Sequence, residues 1–279
     1  EISCNSQDGV WKNLEEFLEC KVAIVFVRDI DMRTVALDLP PYCHAWGMDH
    51  FRTMDGLIYS FQSTCKSALL RDCADNTFDI HLLTDQTCTQ EDYSVCKRDI
   101  EIVTAQGVLG LYSNYPDPAT VRWQGEDRVV PFSVGPFSIR SISNHISIIS
   151  SLGWTLYWDQ HHAVTIEPDE SMKGNKLCGL CGVYNDDPTD DWTRIDGSTT
   201  NSAKEFGRSW NMETIAQSSC ELAASMAPDD PCASQSPEFM VAANERCAVL
   251  SADAAFTVCG DYVDPTPFFN ACLWDFCRI

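Results

Sequence analysis

The central part of the chain alternates between hydrophobic and polar residues with the two-residue period of a β-strand. The alternation is found in "GLIYSF", "TFDIHLL", "DIEIVTA", "VLGLYS", "TVRWQG", "FSIRSISNHISII", "GWTLYWD" and "AVTIEPD", between residue 43 and about residue 167. Groups of turn-forming residues such as "ADNT", "SNYPDP" and "GED" separate these segments. Short strands at such intervals predict a mainly β fold, an antiparallel sandwich, rather than alternating strands and helices.

The pattern changes after about residue 200. "NSAKEF" contains a capping box formed by Ser202 and Glu205. "CELAASMAP", "PEFMVAANERCAVL" and "PTPFFNACLWDFC" place apolar residues three and four apart, which predicts short helices. Six cysteines fall between positions 220 and 277, so we expect a small helical unit that depends on its disulfides.

The 15 cysteines among 279 residues indicate disulfides formed in an oxidising compartment. The histidines do not lie near cysteine pairs at zinc-finger spacing, which argues against zinc. We therefore expect a mature secreted, extracellular protein or a piece of one, since no signal peptide opens the chain. No apolar run approaches the length of a membrane span. An odd count leaves one thiol that is free, joined to another chain, or paired with a residue beyond this sequence.

The charge balance of the chain excludes some partners and favours others. There are 41 acidic and 19 basic residues, a net charge of -22. Such a chain repels nucleic acid and anionic membranes but attracts divalent cations. Four aspartates crowd into "CGLCGVYNDDPTDDW", residues 178–192, at positions 186, 187, 190 and 191. Because these charges repel one another, the segment is either a solvated acidic turn or a cation site.

Three motifs in the same order resemble the von Willebrand factor type D domain. They are "CHAWGMDHFRTMDGLIYSFQSTCKSALLRDC" (43–73), "CGLCGVYNDDPTDDW" (178–192) and "EFGRSW" (205–210). The cysteines from Cys220 to Cys277 are similar to the eight-cysteine domain that follows type D domains in von Willebrand factor, gel-forming mucins, zonadhesin and hemolectin-like proteins. The resemblance implies a calcium-binding, disulfide-stabilised structural or interaction module of a larger secreted glycoprotein. Such modules act in adhesion, clotting and haemostasis, matrix or gel assembly, and their partners are other protein chains or further copies of the same protein.

The resemblance also implies a division of the chain. Residues 1–42 would be a lead-in segment with a local Cys4–Cys20 loop, as at the end of a preceding module. Residues 43–200 would be the type D β domain. Residues 201–279 would be a linker and a helical eight-cysteine domain that is incomplete at its C-terminus.

The resemblance implies a calcium site made from two distant parts of the chain. Asp55 in "TMDG" would supply one ligand, and the side chains of Asn185, Asp190 and Asp191 would supply others. Val183 and Asp187 would contribute main-chain carbonyls. Ca²⁺ takes six to eight oxygen ligands, whereas Mg²⁺ demands a tighter octahedron, so this oxygen-rich set suits calcium better. Asp186 stands where the family usually has glycine, so the turn here would have to accommodate a side chain.

The family pairing of cysteines carries over in the same way. It implies bridges that would tie the acidic loop, residues 178–192, to the start of the domain and cross-link the helical unit: Cys43–Cys181, Cys65–Cys220, Cys73–Cys178, Cys88–Cys96, Cys232–Cys277 and Cys247–Cys272. Cys259 would be left without a partner in this sequence.

Enzymatic alternatives are weaker but stay open at this point. Cys178 and Cys181 form a Cys-x-x-Cys pair, which is the device of disulfide exchange, yet each half could equally bond a different cysteine. A luciferase of the ostracod type, which also carries type D domains, would need a roomy apolar cavity. No hydrolase, zinc-protease or phosphate-loop motif is present, so we expect no catalytic residues. His50 either orders the neighbourhood of the calcium site or is a hydrogen-bonded core residue, and His161–His162 predicts an exposed hairpin.

Overall fold

Fifteen strands form two antiparallel sheets in the computed structural model, which describes residues 41–47, 49–84, 97–213, 220, 227–252 and 264–278. The first sheet has eight strands in the order β10-β11-β12-β13-β14-β1-β2-β3, and the second has seven in the order β15-β4-β5-β6-β7-β8-β9. The strands are β1 (Cys43–Trp46), β2 (His50–Arg52), β3 (Ile58–Ser60), β4 (Ser67–Asp72), β5 (Phe78–Thr84), β6 (Arg98–Thr104), β7 (Gly107–Asn114), β8 (Asp117–Trp123), β9 (Glu126–Arg128), β10 (Phe132–Val134), β11 (Phe137–Ile142), β12 (His145–Ser150), β13 (Trp154–Trp158), β14 (Val164–Pro168) and β15 (Leu177–Cys178).

The two sheets pack face to face through the apolar positions of their strands. In β6 the side chains of Ile100 and Ile102 are fully buried, while Glu101 between them is partly exposed. Aromatic contacts join the two sheets, with ring centres of Phe78 and Trp154 5.5 Å apart. The mainly β, sandwich-like fold predicted from the alternation is therefore confirmed.

The segment "FSIRSISNHISII" differs in detail from its prediction as one alternating run. It forms two strands, β11 and β12, joined by a two-residue turn at positions 143 and 144. Ser143 takes a φ of +53°, and the sequence has no glycine at this position to indicate the turn. The hairpin predicted at His161–His162 is present between β13 and β14, but it is not fully exposed, because His162 is buried.

Short helices follow the sheets, as the sequence predicts for "PEFMVAANERCAVL" and "PTPFFNACLWDFC", whereas most of "CELAASMAP" lies outside the described residues. They are α1 (Ala203–Ser209), α2 (Pro237–Cys247), α3 (Val249–Ala252) and α4 (Thr266–Cys277), with 3₁₀ turns at Glu170–Met172 and Pro231–Ser234. The Ser202 hydroxyl caps α1 by accepting from the N–H of Glu205 (3.2 Å). The Glu205 carboxylate does not bond the Ser202 N–H directly. It accepts the hydroxyl of Thr200 (2.9 Å), and the oxygen of that hydroxyl accepts the Ser202 N–H (3.2 Å). The capping box is thus relayed through a third residue.

Five disulfides join described residues, and they are five of the pairs that the family resemblance implies. They are Cys43–Cys181, Cys65–Cys220, Cys73–Cys178, Cys232–Cys277 and Cys247–Cys272. The predicted Cys4–Cys20 and Cys88–Cys96 bridges lie outside the described residues, as do Cys259 and nearly all of the lead-in segment 1–42.

Candidate metal centre

The acidic loop leaves the edge of the seven-stranded sheet directly after β15. The Cys181 N–H donates to the carbonyl of Leu69 in β4 (2.9 Å), so the chain stays attached to the sheet beyond the end of the strand. The Cys73–Cys178 and Cys43–Cys181 bridges hold the same stretch. The loop therefore starts from a covalently fixed position.

Two glycines of "CGLCG" are required by close approaches. Gly179 has a φ of +121°, and a Cβ there would lie 2.7 Å from the Leu69 carbonyl oxygen. Gly182 has a φ of +70°, and a Cβ there would overlap the carboxylate of Asp191. A side chain at either position would move the loop away from the sheet or from Asp191.

Asp55 meets the loop although it is 130 residues away from Asn185 in the sequence. Its Oδ2 accepts the backbone N–H groups of Asn185 and Asp187, each at 3.0 Å. The neighbouring Met54 N–H donates to the Cys181 carbonyl (2.9 Å), which holds the turn after β2 against the start of the loop. The two parts of the chain predicted to share an ion are thus in direct contact.

Asp191 is fully buried beneath the loop. Its Oδ1 accepts the Val183 N–H (2.9 Å), and its Oδ2 accepts the hydroxyl of Thr53 (2.6 Å). Burial raises the pKa of Asp191 to about 7; these two hydrogen bonds oppose the rise, and the nearby charges of Asp55 and Asp190 add to it. Burial and the two neighbouring carboxylates therefore disfavour the ionised form of Asp191, and a positive charge nearby would stabilise it.

Asp190 and Asn185 face each other inside the loop. The Asn185 side-chain amide donates to Asp190 Oδ2 and to Asn175 Oδ1, both at 2.9 Å. The second oxygen of Asp190, Oδ1, is buried and has no hydrogen-bond partner. A buried carboxylate oxygen without a partner is unfavourable, and a cation would satisfy it.

The side chain of Asp187 turns away from the centre of the loop. It is exposed, and its Oδ1 accepts the N–H (3.0 Å) and the hydroxyl (2.6 Å) of Thr189. The hydroxyl bond, followed by the N–H bond, lowers the pKa of the Asp187 carboxyl. The group of residue 187 that contacts Asp55 is therefore its main-chain N–H and not its carboxylate, and its carbonyl accepts the N–H of Asp190 (3.4 Å).

Lys173 and Glu170 border the loop and were not predicted as site residues. The Lys173 ammonium group lies 2.5 Å from Asp186 Oδ2, and that bond raises the pKa of Lys173. The Tyr184 hydroxyl donates to Glu170 (2.8 Å). No motif marks these residues, although Lys173 and Lys176 are the nearest basic side chains before the loop in the sequence.

The donor set of the loop fits a hard divalent cation, because it consists of carboxylate, amide and carbonyl oxygens. Within the described part of the chain, the only trio of histidine, cysteine or acidic ligand atoms within 4.8 Å of one another is Cys65, Glu213 and Cys220. Those two sulfurs form a disulfide, so the trio is not a thiolate site. No three carboxylate oxygens of the described loop, taken from different residues, lie within this distance of one another. An ion bound in the loop would therefore need amide and backbone oxygens as well.

Cys178 and Cys181 are bonded to different, distant cysteines rather than to each other. Both sulfurs are consumed in bridges that hold the loop to β1 and to the turn after β4. This is the arrangement of two structural bridges, and a disulfide-exchange pair would instead form one bond within the motif.

His50 lies at the junction between the sandwich and α4 and has no contact with the acidic loop among its described bonds. Its ring nitrogens bond Ser60 Oγ (2.8 Å) and Asp275 Oδ1 (3.0 Å). Asp49 beside it pairs with Arg278 and accepts the indole N–H of Trp274 (3.2 Å). The arrangement favours the second interpretation of His50, a buried hydrogen-bonded residue.

A cavity of about 270 Å³ also lies at this junction. It is smaller than the roughly 300–1,000 Å³ usual for small-molecule sites. Phe61 and Trp274 line it together with the polar side chains of Gln62, Lys204 and Asp229. It is not the roomy apolar pocket that a luciferase-type substrate would need.

A family model described as "von Willebrand factor type D domain" matches residues 43–198, more than half of the chain. The chain belongs to the von Willebrand factor type D domain family. The type D family and the five disulfides identify it as a secreted, extracellular protein. None of the described helices combines the length and the apolar character needed to cross a membrane.

Curated relatives match this type D protein over most of its length. It is 29% identical to otogelin-like protein of Homo sapiens, 31% identical to Mucin-19 of Mus musculus and 27% identical to von Willebrand factor of Bos taurus. These alignments cover 85%, 84% and 86% of the chain but only 10%, 3% and 25% of the relatives. The chain thus spans a quarter or less of each of these relatives. The family match ends before the C-terminal cysteine-rich unit, whose resemblance to an eight-cysteine domain stays a prediction.

Proposed function

We propose that the chain is a calcium-binding, disulfide-stabilised module that mediates contacts between proteins in an extracellular adhesive, clotting, matrix or gel assembly. Its partners would be other protein chains or further copies of itself. The relatives named otogelin-like protein, Mucin-19 and von Willebrand factor support this class, since none of these names describes an enzyme. The acidic charge argues against nucleic acid as a partner.

The observation that carries the calcium proposal is the contact of Asp55 with the acidic loop. Folding brings this carboxylate to a loop that already holds the buried Asp191 and an Asp190 oxygen without a partner. Like charges gathered in this way destabilise the metal-free chain unless a cation neutralises them.

The ligands of the proposed ion would be the carboxylates of Asp55, Asp190 and Asp191, the amide oxygen of Asn185, and the carbonyls of Val183 and Asp187. Calcium would supply a double positive charge that offsets the repulsion within the loop, as oxygen-rich sites require. The chain's own contribution would be to hold the donors at the end of a disulfide-anchored strand. The ion would therefore stiffen the surface that the domain presents to its partners.

We expect calcium to stabilise the protein and chelation to destabilise it. Since only the folded chain assembles the site, ligand linkage predicts about 2.7 kcal/mol of stabilisation at a calcium concentration of 100 times Kd. The measurement is the thermal melting curve in EDTA and in millimolar CaCl₂. Identical curves in the two conditions would refute the calcium site.

The matched variants are Asp55→Asn and Asp117→Asn, which remove the same charge. Asp117 is exposed at the start of β8, whereas Asp55 contacts the loop. We expect Asp55→Asn to raise the calcium Kd at least about tenfold, because an amide oxygen is a weaker ligand than a carboxylate. A calcium titration with the same Kd in both variants would remove Asp55 from the ligand set.

A further inference from the structure

We infer that Lys173 is a positioning residue for the acidic loop: its ammonium group holds Asp186, so that the backbone on either side of Asp186 stays against Asp55. The inference rests on the proposed calcium function of the loop. Lys173 lies outside the predicted ligand set and would act on calcium binding without touching the ion.

One ammonium group connects the loop to the 3₁₀ turn that precedes it. Lys173 Nζ lies 2.5 Å from Asp186 Oδ2 and 3.5 Å from Glu170 Oε1. It also lies 5.7 Å from the centre of the Tyr184 ring, and the hydroxyl of that ring donates to Glu170. Lys173 is therefore the centre of a small network that joins Glu170, Tyr184 and Asp186.

The network holds the one residue of the loop whose backbone is strained. Asp186 takes a φ of +66°, the left-handed region that is unfavourable for a residue other than glycine. Its neighbours Asn185 and Asp187 are the two residues whose N–H groups donate to Asp55. A contact that fixes the Asp186 side chain therefore also fixes the direction of these two donors.

A backbone hydrogen bond also anchors the loop and would remain when Lys173 is replaced. The Gly174 N–H donates to the carbonyl of Tyr184 (2.8 Å), and this bond does not involve the Lys173 side chain. A variant at Lys173 should thus keep the loop near the sandwich and release only its outer turn. This limits the expected effect to the geometry of the site.

Positioning and simple electrostatics predict opposite signs for the same substitution. A positive charge beside a cation site repels the incoming ion, so its removal should tighten calcium binding if charge alone matters. If Lys173 positions the loop, its removal should weaken binding. The direction of the change separates the two explanations.

The experiment compares Lys173→Gln, Lys173→Arg and Lys176→Gln in the 279-residue chain by calorimetric titration with CaCl₂. Lys176 is the matched control, because it loses the same charge and its ammonium group donates to the Ser171 carbonyl (2.7 Å) rather than to the loop. We expect Lys173→Gln to raise the calcium Kd roughly threefold to fivefold, the upper end of the effect expected for exposed charged contacts. Lys176→Gln should leave Kd unchanged or lower it, and Lys173→Arg should restore binding to within about twofold.

Amide hydrogen exchange in EDTA gives a second measurement that needs no bound ion. In Lys173→Gln the N–H groups of Asn185 and Asp187 should exchange faster by a similar factor of roughly three to five, because the backbone that directs them at Asp55 is held less well. In Lys176→Gln their exchange should equal that of the wild type.

The outcomes separate this inference from the proposed function. If the wild type takes up no calcium, both are overturned. If the wild type titrates normally but Lys173→Gln binds calcium as tightly or more tightly, the positioning role is overturned and the calcium site stands. Unchanged exchange at Asn185 and Asp187 in Lys173→Gln would also overturn the positioning role.

Discussion

Gly182 determines how closely the loop wraps around the buried carboxylate of Asp191. Its positive φ and the lack of room for a Cβ act together at this position. Because Asp191 also accepts hydrogen bonds from Thr53 and Val183, any shift of the backbone at residue 182 would disturb both sides of the site. Gly182 is therefore part of the site although it has no side chain that could bind an ion.

We expect Gly182→Ala to lower the free energy of unfolding by about 2–4 kcal/mol, from the left-handed backbone and the steric overlap together. The control is Gly197→Ala, since Gly197 has a φ of +81° but no heavy atom within 4 Å of a Cβ. The control should lose only about 1–2 kcal/mol, the backbone contribution. Urea unfolding in EDTA measures both, and equal losses would show that the overlap with Asp191 has no energetic weight.

The sequence predicts some residues of the candidate site and not others, for a physical reason. Asp55 and the acidic loop can be located because their motifs are local. Thr53 and Lys173 cannot, because their contacts with Asp191 and Asp186 arise only after distant or separately folded segments meet. Neither a single hydroxyl group nor a single ammonium group has a sequence pattern that indicates such a partner.

At the scale of elements, α1 connects the sandwich with the residues that follow it. Phe206 is fully buried against Tyr59, with ring centres 5.5 Å apart. A Cβ on Gly207 would overlap the ring of Phe61, so the helix lies directly on the end of β3. A seven-residue helix is too short to be stable alone, so its cap and this packing must hold it.

We expect Ser202→Ala to lower the free energy of unfolding by about 1 kcal/mol, because it removes the acceptor of the Glu205 N–H. Ser209→Ala at the other end of α1 is the control, since that hydroxyl only donates to the Phe206 carbonyl (2.7 Å). Its effect should stay within about 0.5 kcal/mol. Chemical denaturation measures both variants, and equal effects would contradict the capping role.

The elements themselves are largely predictable from hydrophobic periodicity. The core strands β5, β6 and β13 coincide with alternating segments because one face of each packs in the sandwich. The alternation does not predict the division of 137–149 into two strands, because "SN" is a weak turn signal. The pairing order of the strands could not be derived either, since alternation records which face is buried but not which strand lies alongside.

At the scale of the whole molecule, buried histidines make stability depend on pH. His44 and His162 are both buried, and desolvation lowers the pKa of each to about 3. Arg52 and Arg98 lower the pKa of His44 further, and His161 and Arg98 do the same for His162. Between pH 6.5 and about 3 the unfolded chain binds more protons at these positions than the folded chain, so stability falls as the pH falls.

We expect each of these histidines to remove roughly 1–2 kcal/mol of stability between pH 7 and pH 5. His44→Gln and His162→Gln should therefore each show a smaller drop over this interval than the wild type. Urea unfolding in EDTA at both pH values gives the drop within each variant, which removes the constant effect of the substitution. A drop as large as that of the wild type would contradict the contribution of that histidine.

The long-range disulfides enclose most of the sandwich. Cys43–Cys181, Cys65–Cys220 and Cys73–Cys178 join residues separated by 138, 155 and 105 positions. Loops of this length restrict the unfolded chain strongly, by about 4–5 kcal/mol each in the chain-entropy estimate. The sandwich is therefore stabilised through its unfolded state as well as through its core.

The Cys43–Cys181 bridge also determines how the domain would respond to mechanical tension. A pull transmitted along the backbone into residue 43 passes through one sulfur–sulfur bond to residue 181. The segment between them, which spans a sequence separation of 138 and could extend to roughly 470 Å, is shielded from the load. Under shear in an extracellular network, the strands behind this bridge would keep their shape until a reductant opened it.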